Sequence, residues 1–184
     1  RKGSEDYFLK FIKSAEWLVN NLRENQFKYK VWMHDFDFEY RDTLKSPWYS
    51  GLAQGQAISL LVRAYKETNN KKYCDTLHEA FKVFFVSTRK GGVNHKDKKN
   101  QDWIEEYIVD PPTHILNGFI WGLWGIYDYA LLFKDNKALS LFNNYIETLI
   151  NELSTYDTGY WSLYEHSGTK LPMIASPFYH KLHI

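Results

Sequence analysis

Two stretches of the chain, residues 51–86 and 113–153, each read as an apolar helix, a polar turn and an amphipathic partner helix. In each, a glycine (Gly55, Gly118) precedes an apolar helix carrying a tyrosine (Tyr65, Tyr127), at an offset of roughly 62 residues. One hairpin cannot bury its apolar face alone, so hairpins stack, and stacked hairpins are the unit of α/α barrels and toroids. The expected fold class is therefore all-α: an α/α barrel of helical hairpins, incomplete within this chain, with short β segments at one end. Residues 1–184 read as one such domain, truncated at both ends.

The remaining segments follow from periodicity. From Ser4 to Asn25, Phe8, Phe11, Ile12, Ala15, Leu18, Val19 and Leu22 fall on one helical face, with Ser4 as the N-cap. Val31 to Arg41 switches to period two. Trp32, His34, Phe36, Phe38 and Tyr40 share one parity, which predicts a single strand. Helices are predicted over 52–68, 72–88 and 113–134, and a fourth, capped by Asp135 or Asn136, through Leu153. Asn69-Asn70 breaks the first pair. A short strand is expected around Trp103–Ile108, a turn at Tyr156–Gly159, and extended chain from Tyr160 to Glu165. The tail after Pro172 carries no clear period.

Composition then narrows the function. The net charge is +1, without the basic stripe of a nucleic-acid binder. The apolar run from Ile115 to Phe133 is interrupted by Asn117, Asp128 and three glycines, so it reads as a helix buried in protein rather than a membrane span. The single cysteine, Cys74, excludes an internal disulfide. The chain opens on Arg1 with no secretory leader in view, which reads as part of a longer chain. Aromatic content is high at 18%, with 14 Tyr and 7 Trp. Most of these rings serve a core, but Trp and Tyr faces also stack on sugars.

Three motif groups stand out: Ser46-Pro47-Trp48-Tyr49-Ser50-Gly51-Leu52-Ala53-Gln54-Gly55-Gln56; Asp102-Trp103-Ile104-Glu105-Glu106-Tyr107 with Leu116-Asn117-Gly118-Phe119; and Tyr156-Asp157-Thr158-Gly159 with Tyr164 and Tyr179-His180. In order and spacing they resemble the C-terminal domain of the D-glucuronyl C5-epimerase family, over nearly the whole chain. The resemblance implies an α/α barrel and an isomerase. Such an enzyme inverts C5 of glucuronic acid residues in a heparosan-type polysaccharide by removing a proton and returning it from the opposite face. It also implies an anionic polysaccharide as partner, with no cofactor and no metal. Neither nucleic acid nor a membrane span is expected, and a homodimer is compatible with the sequence.

The chemistry asks for a base and an acid on opposite faces of the ring, and for stabilisation of the enolate-like intermediate. The resemblance carries Glu106, Tyr164 and Tyr179 as catalytic candidates. In an extended segment Glu105 and Glu106 point to opposite faces, and family spacing selects Glu106 as the inward one. A tyrosine near cationic groups would give up its proton more readily. Tyr107, Asn117, Gln54, Gln56, Trp48, Tyr49, His166 and His180 are expected to bind substrate. The alternatives are core packing for Tyr107, a helix-start amide meeting backbone groups for Asn117, interhelical hydrogen bonds for Gln54 and Gln56, and packing at the rim for Trp48 and Tyr49. His180 and His183 stand three apart, a weak metal signal without a third ligand.

The chain departs from the family at one point. An Arg suited to clamping the uronate carboxylate usually follows the Tyr matched by Tyr164. Here Glu165-His166-Ser167-Gly168 follows, leaving His166 or Lys170 to substitute. The alternatives to an epimerase are a lyase that shares the first proton removal, and a non-catalytic glycan-binding domain.

Overall fold

The computed structural model describes residues 2–168 and 171–184. The fold is mostly helical, with three two-stranded antiparallel pairs. Helix α1 spans Lys2–Asn21 and runs directly into β1 (Leu22–Glu24), which pairs with β2 (Lys30–Trp32). Two short strands follow, β3 (Phe38–Glu39) and β4 (Thr43–Leu44). Next come α2 (Gly51–Thr68), α3 (Lys71–Phe81), β5 (Asn94–Lys96) and β6 (Asp102–Ile104). Helices α4 (Leu116–Phe133), α5 (Asn136–Glu152) and α6 (Pro177–His183) complete the chain.

The two predicted hairpins form, α2 with α3 and α4 with α5, and their caps have local causes. Ser50 Oγ accepts from Ala53 N at 3.0 Å to open α2, and Asn69, left-handed at φ 53°, closes it. Asn70 Oδ1 takes Lys72 N at the start of α3. Asp135, not Asn136, caps α5, accepting from the N–H groups of Lys137 and Ala138. Helix α3 ends at Phe81, earlier than predicted, and tightens into a 3-10 turn over Lys82–Phe85.

Helices α2 and α4 form the centre, with α1 and α3 against α2 and α5 against α4. Their backbones touch at three glycines. A Cβ on Gly55 would lie 2.6 Å from Gly122 Cα, and one on Gly125 would lie 2.6 Å from Gly55 Cα. The contact does not follow the repeat. Gly55 is matched in space by Gly122 and Gly125, while Gly118 faces Glu106 instead. Around the crossing, Ile58, Leu61, Leu116, Phe119 and Ile126 are fully buried, each stabilising the fold by about 1.5–3 kcal/mol. Backbone atoms cannot rotate away from an added methyl. Gly55→Ala is therefore expected to cost about 3 kcal/mol, at the upper end for overpacking, read as a lowered urea midpoint.

Several expectations change. The first helix begins at Lys2, so Ser4 lies inside it, and it ends at Asn21. Asn25 instead closes the β1–β2 turn. Its Oδ1 accepts from the N–H groups of Phe27 and Tyr29, and its Nδ2 donates to Gly91 O at 2.8 Å. The strand predicted over 31–41 breaks in two because β2 pairs with β1 whereas β3 turns back on β4. Asp37 fixes that turn by accepting from Lys45 Nζ and Ser46 N. The tail after Pro172 forms α6, opened by Pro177 and capped by Ser176. Among the described residues, no helix is long and apolar enough to cross a membrane.

Candidate active site

The sharp turn after β6 sends two adjacent carboxylates in different directions. Glu105 and Glu106 are 1% and 7% exposed, so neither is a solvated loop edge. Glu105 Oε2 accepts from Thr113 N and His114 N at 3.2 Å each, and its Oε1 stands 2.6 Å from His114 Nδ1. Glu106 turns the other way, against the start of α4. Asn117, on the first turn of α4 and fully buried, donates Nδ2–H to Glu106 Oε2 at 3.3 Å. Gly118 makes room, since a Cβ there would lie 2.7 Å from Glu106 Cβ.

A chain of hydroxyls meets that carboxylate. The hydroxyls of Tyr107 and Tyr164 lie close enough to interact, Tyr107 with both Glu106 and Tyr164. The Tyr179 ring, carried by α6, stands 5.6 Å from that of Tyr164. Tyr40, Phe38 and Trp48 pack on Tyr107 with ring centroids at 4.6, 5.5 and 5.8 Å. The helix end at Asn117, the turn at 105–107, the extended segment at Tyr164 and the short α6 thus converge on one point.

Burial sets the protonation states. Desolvation raises the Glu106 carboxyl to about 7, assisted by the neighbouring Glu105 charge and opposed by the bonds from Tyr107 and Asn117. Tyr164, Tyr107 and Tyr179 are all raised above the ordinary phenol value, by burial first and then by the Glu106 charge. That reverses the sequence expectation of an accessible phenolate. Removing the Asn117 donor from the ionised form should raise Glu106 further. Asn117→Ala is expected to shift its titration above 7 in carboxyl ¹³C NMR, and an unchanged or lower midpoint would contradict the arrangement.

Of the other sequence candidates, Trp48 joins the cluster and five do not. Gln54 is fully buried and spends its amide on the strand β2, accepting from Trp32 N at 3.1 Å and donating to Trp32 O at 3.0 Å. Gln56 is exposed on the opposite face of α2, in a groove with α1. Tyr49 is half-buried beside Asn25. His180 stacks on Trp161 at 4.0 Å and shares Ser162 Oγ with His183. His166 faces another groove, bonded to Thr155 Oγ1 at 2.8 Å. Lys170 lies outside the described residues. Among the described residues no group of three or more His, Cys, Asp or Glu could hold a metal ion.

Sequence reasoning missed Arg41. Its guanidinium is paired with Glu165, whose side chain is 0% exposed and next to Tyr164. The neighbouring Tyr40 packs on Tyr107. Arg41 therefore sets a cation at the rim of the cluster. Only contact with a segment more than a hundred residues away identifies it, and no local motif could. Tyr40 Oη, Asn117 Oδ1 and Glu165 Oε2 are buried without a hydrogen-bond partner among the described residues.

The chain is similar to several known proteins. A family model described as D-glucuronyl C5-epimerase C-terminus matches residues 25–184. A D-glucuronyl C5-epimerase of Caenorhabditis elegans is 32% identical over 189 residues, covering 95% of this chain and 30% of the relative. An uncharacterized protein of Methanocaldococcus jannaschii is 27% identical over 177 residues, covering 91% of this chain and 57% of the relative. The chain thus spans less than two thirds of either relative.

Proposed function

The chain belongs to the family of the D-glucuronyl C5-epimerase C-terminus, and on that premise we propose that it carries the acid–base centre of an epimerase acting on glucuronic acid residues of a polysaccharide. The observation that supports this reading is the buried Glu106, held at its Oε2 by Asn117 and raised to about 7, with Tyr107 and Tyr164 beside it. A group titrating near neutral pH is competent both to take and to give a proton.

Glu106 in its ionised form takes the C5 proton. The C–H electron pair moves into the enolate formed with the uronate carboxyl group. A phenol, which burial keeps protonated, then gives its proton to C5 from the opposite face, and the electron pair closes the new C–H bond. Tyr164 suits this role because Tyr107 and Glu106 lie beside it, and the resulting phenolate would recover through them the proton that Glu106 took. Tyr179 stands beside it as the second phenol. Arg41, with donors left over beyond its pair to Glu165, would face the uronate carboxylate and spread the enolate charge. Trp48 offers an aromatic face, and the unpartnered oxygens of Tyr40 and Asn117 suit sugar hydroxyls.

The two hairpins are proposed to be an arc of an α/α barrel, and residues 1–184 part of a single domain of it. The test is incubation of the full chain with heparosan-type polymer in D₂O, followed by NMR at C5. Deuterium at C5 without new ultraviolet absorbance is the expected result. An unsaturated product would make the protein a lyase. Binding without exchange, unaffected by Tyr164→Phe, would leave a non-catalytic glycan-binding domain.

A further inference from the structure

On the far side of the 105–106 turn from the tyrosine cluster lies a groove of about 550 Å³. The β5–β6 hairpin forms one wall, with Lys96, Lys98 and Lys99, and Arg89 stands at its edge. His95, His114 and His166 also line it. Two of the cations are committed, Lys96 to Asp102 at 3.1 Å and Lys99 to Glu152 at 2.7 Å. Arg89 and Lys98 have no carboxylate partner among the described residues. Two acids also line it, whose charge Arg89 and Lys98 would have to outweigh for an anion to bind: Asp97, occupied by the N–H groups of Lys99 and Gln101 and by the Trp103 indole, and Asp110.

The histidine wall is built. Glu105, 1% exposed, holds His114 by its ring and by its backbone N–H. His114 stacks on Trp103 at 4.3 Å and is fixed at φ 48°, a left-handed conformation that a non-glycine residue adopts at a cost. Burial lowers His95 and His166, outweighing the opposing carboxylates of Glu105 and Asp97 near the first and Glu152 near the second. Arg89 and Lys98 thus stand at the groove without a carboxylate partner among the described residues, beside imidazoles able to donate a hydrogen bond, an arrangement that an anion would complete.

The groove adjoins the acid–base cluster. Glu105 faces the groove and its neighbour Glu106 the cluster. Ser167, on the groove wall, donates to Glu165 Oε1 at 3.0 Å, and Glu165 pairs with Arg41 at the cluster's rim. We propose that this groove is an anion subsite that holds the carboxylate or sulfate of a neighbouring sugar residue of the same polymer. The inference deepens the proposed epimerase reading and rests on it for the polymer's identity.

The test uses the full chain and its Arg89→Glu/Lys98→Glu variant, two exposed positions whose reversal leaves the core intact. The probes are a uronate disaccharide, a longer heparosan-type oligosaccharide, its N-sulfated form and a neutral dextran oligosaccharide. For the longer anionic probes the variant should raise Kd and KM by about tenfold or more, with kcat little changed. The disaccharide should be unaffected, and added salt should shrink the difference. Tighter binding of the N-sulfated probe would assign the groove to sulfate, and equal binding of both anionic probes to carboxylate. Unchanged Kd for the longer anionic probes, or equal binding of dextran, would overturn the subsite. C5 exchange with unchanged variant binding removes the subsite and leaves the epimerase reading. Groove-dependent binding without C5 exchange removes the epimerase reading and leaves the subsite.

Discussion

Replacing Glu106 by Gln is expected to cut C5 hydrogen exchange by about a thousandfold, in the range typical of losing a positioned acid–base group. The same change should stabilise the fold at alkaline pH. The Glu106 carboxyl is raised from 4.5 to about 7 in the folded chain. The folded state therefore holds a proton that the unfolded state has already released between those values. Its contribution to stability is fully present below pH 4.5 and is lost as pH rises through about 7. Integrated over that window, the loss is about 3 kcal/mol. Gln does not titrate and still accepts from Asn117. At pH 8 Glu106→Gln should thus exceed the parent by a few kcal/mol, while at pH 4 the two should coincide. Urea unfolding at both values measures this. A stability difference independent of pH would show that Glu106 is not the buried, raised carboxyl described.

Arg41→Ala should cost about 3–5 kcal/mol, because it leaves Glu165 buried without its counter-charge. For a chain of this length that lowers Tm by roughly 10 °C. The desolvation cost belongs to the pair, so Arg41→Leu combined with Glu165→Leu should recover most of the loss. Activity separates the second role. Arg41→Lys keeps a charge for Glu165 but loses the planar fork. It should stay folded yet bind the uronate less well, seen as a KM increase. If the double variant folds stably and keeps full exchange activity, Arg41 is structural only.

The acid–base role proposed for Glu106 and the stability of the fold would therefore pull in opposite directions. A carboxylate desolvated enough to titrate near neutral pH is one that the folded chain would hold more cheaply as an amide. Gly118 and Asn117 are the means of keeping it there. One leaves space, and the other donates the hydrogen bond that restrains the rise in its pKa.

Local physical chemistry sufficed for α2, α4 and α5, though not for where α3 ends or for α6. The apolar spacing of α2 and α4, the polar breaks at Asn69-Asn70 and Asp135, and the resemblance carried by Trp48, Glu106, Asn117 and Tyr164 were all legible in the sequence. Each depends on residues within a turn or two, or on motif order. Gln54 shows where that reasoning stopped. A buried amide needs partners, but whether it finds a sugar or the backbone of Trp32 depends on a strand 22 residues away. Gly55 and Gly125 look like two isolated helix glycines until the helices cross. Arg41 reads as a surface charge until Glu165 arrives beside it. Tertiary structure alone decided these contacts, and with them which tyrosines share a carboxylate and which cations line the second groove. Burial and long-range pairing set pKa values and partners, and a linear sequence records neither.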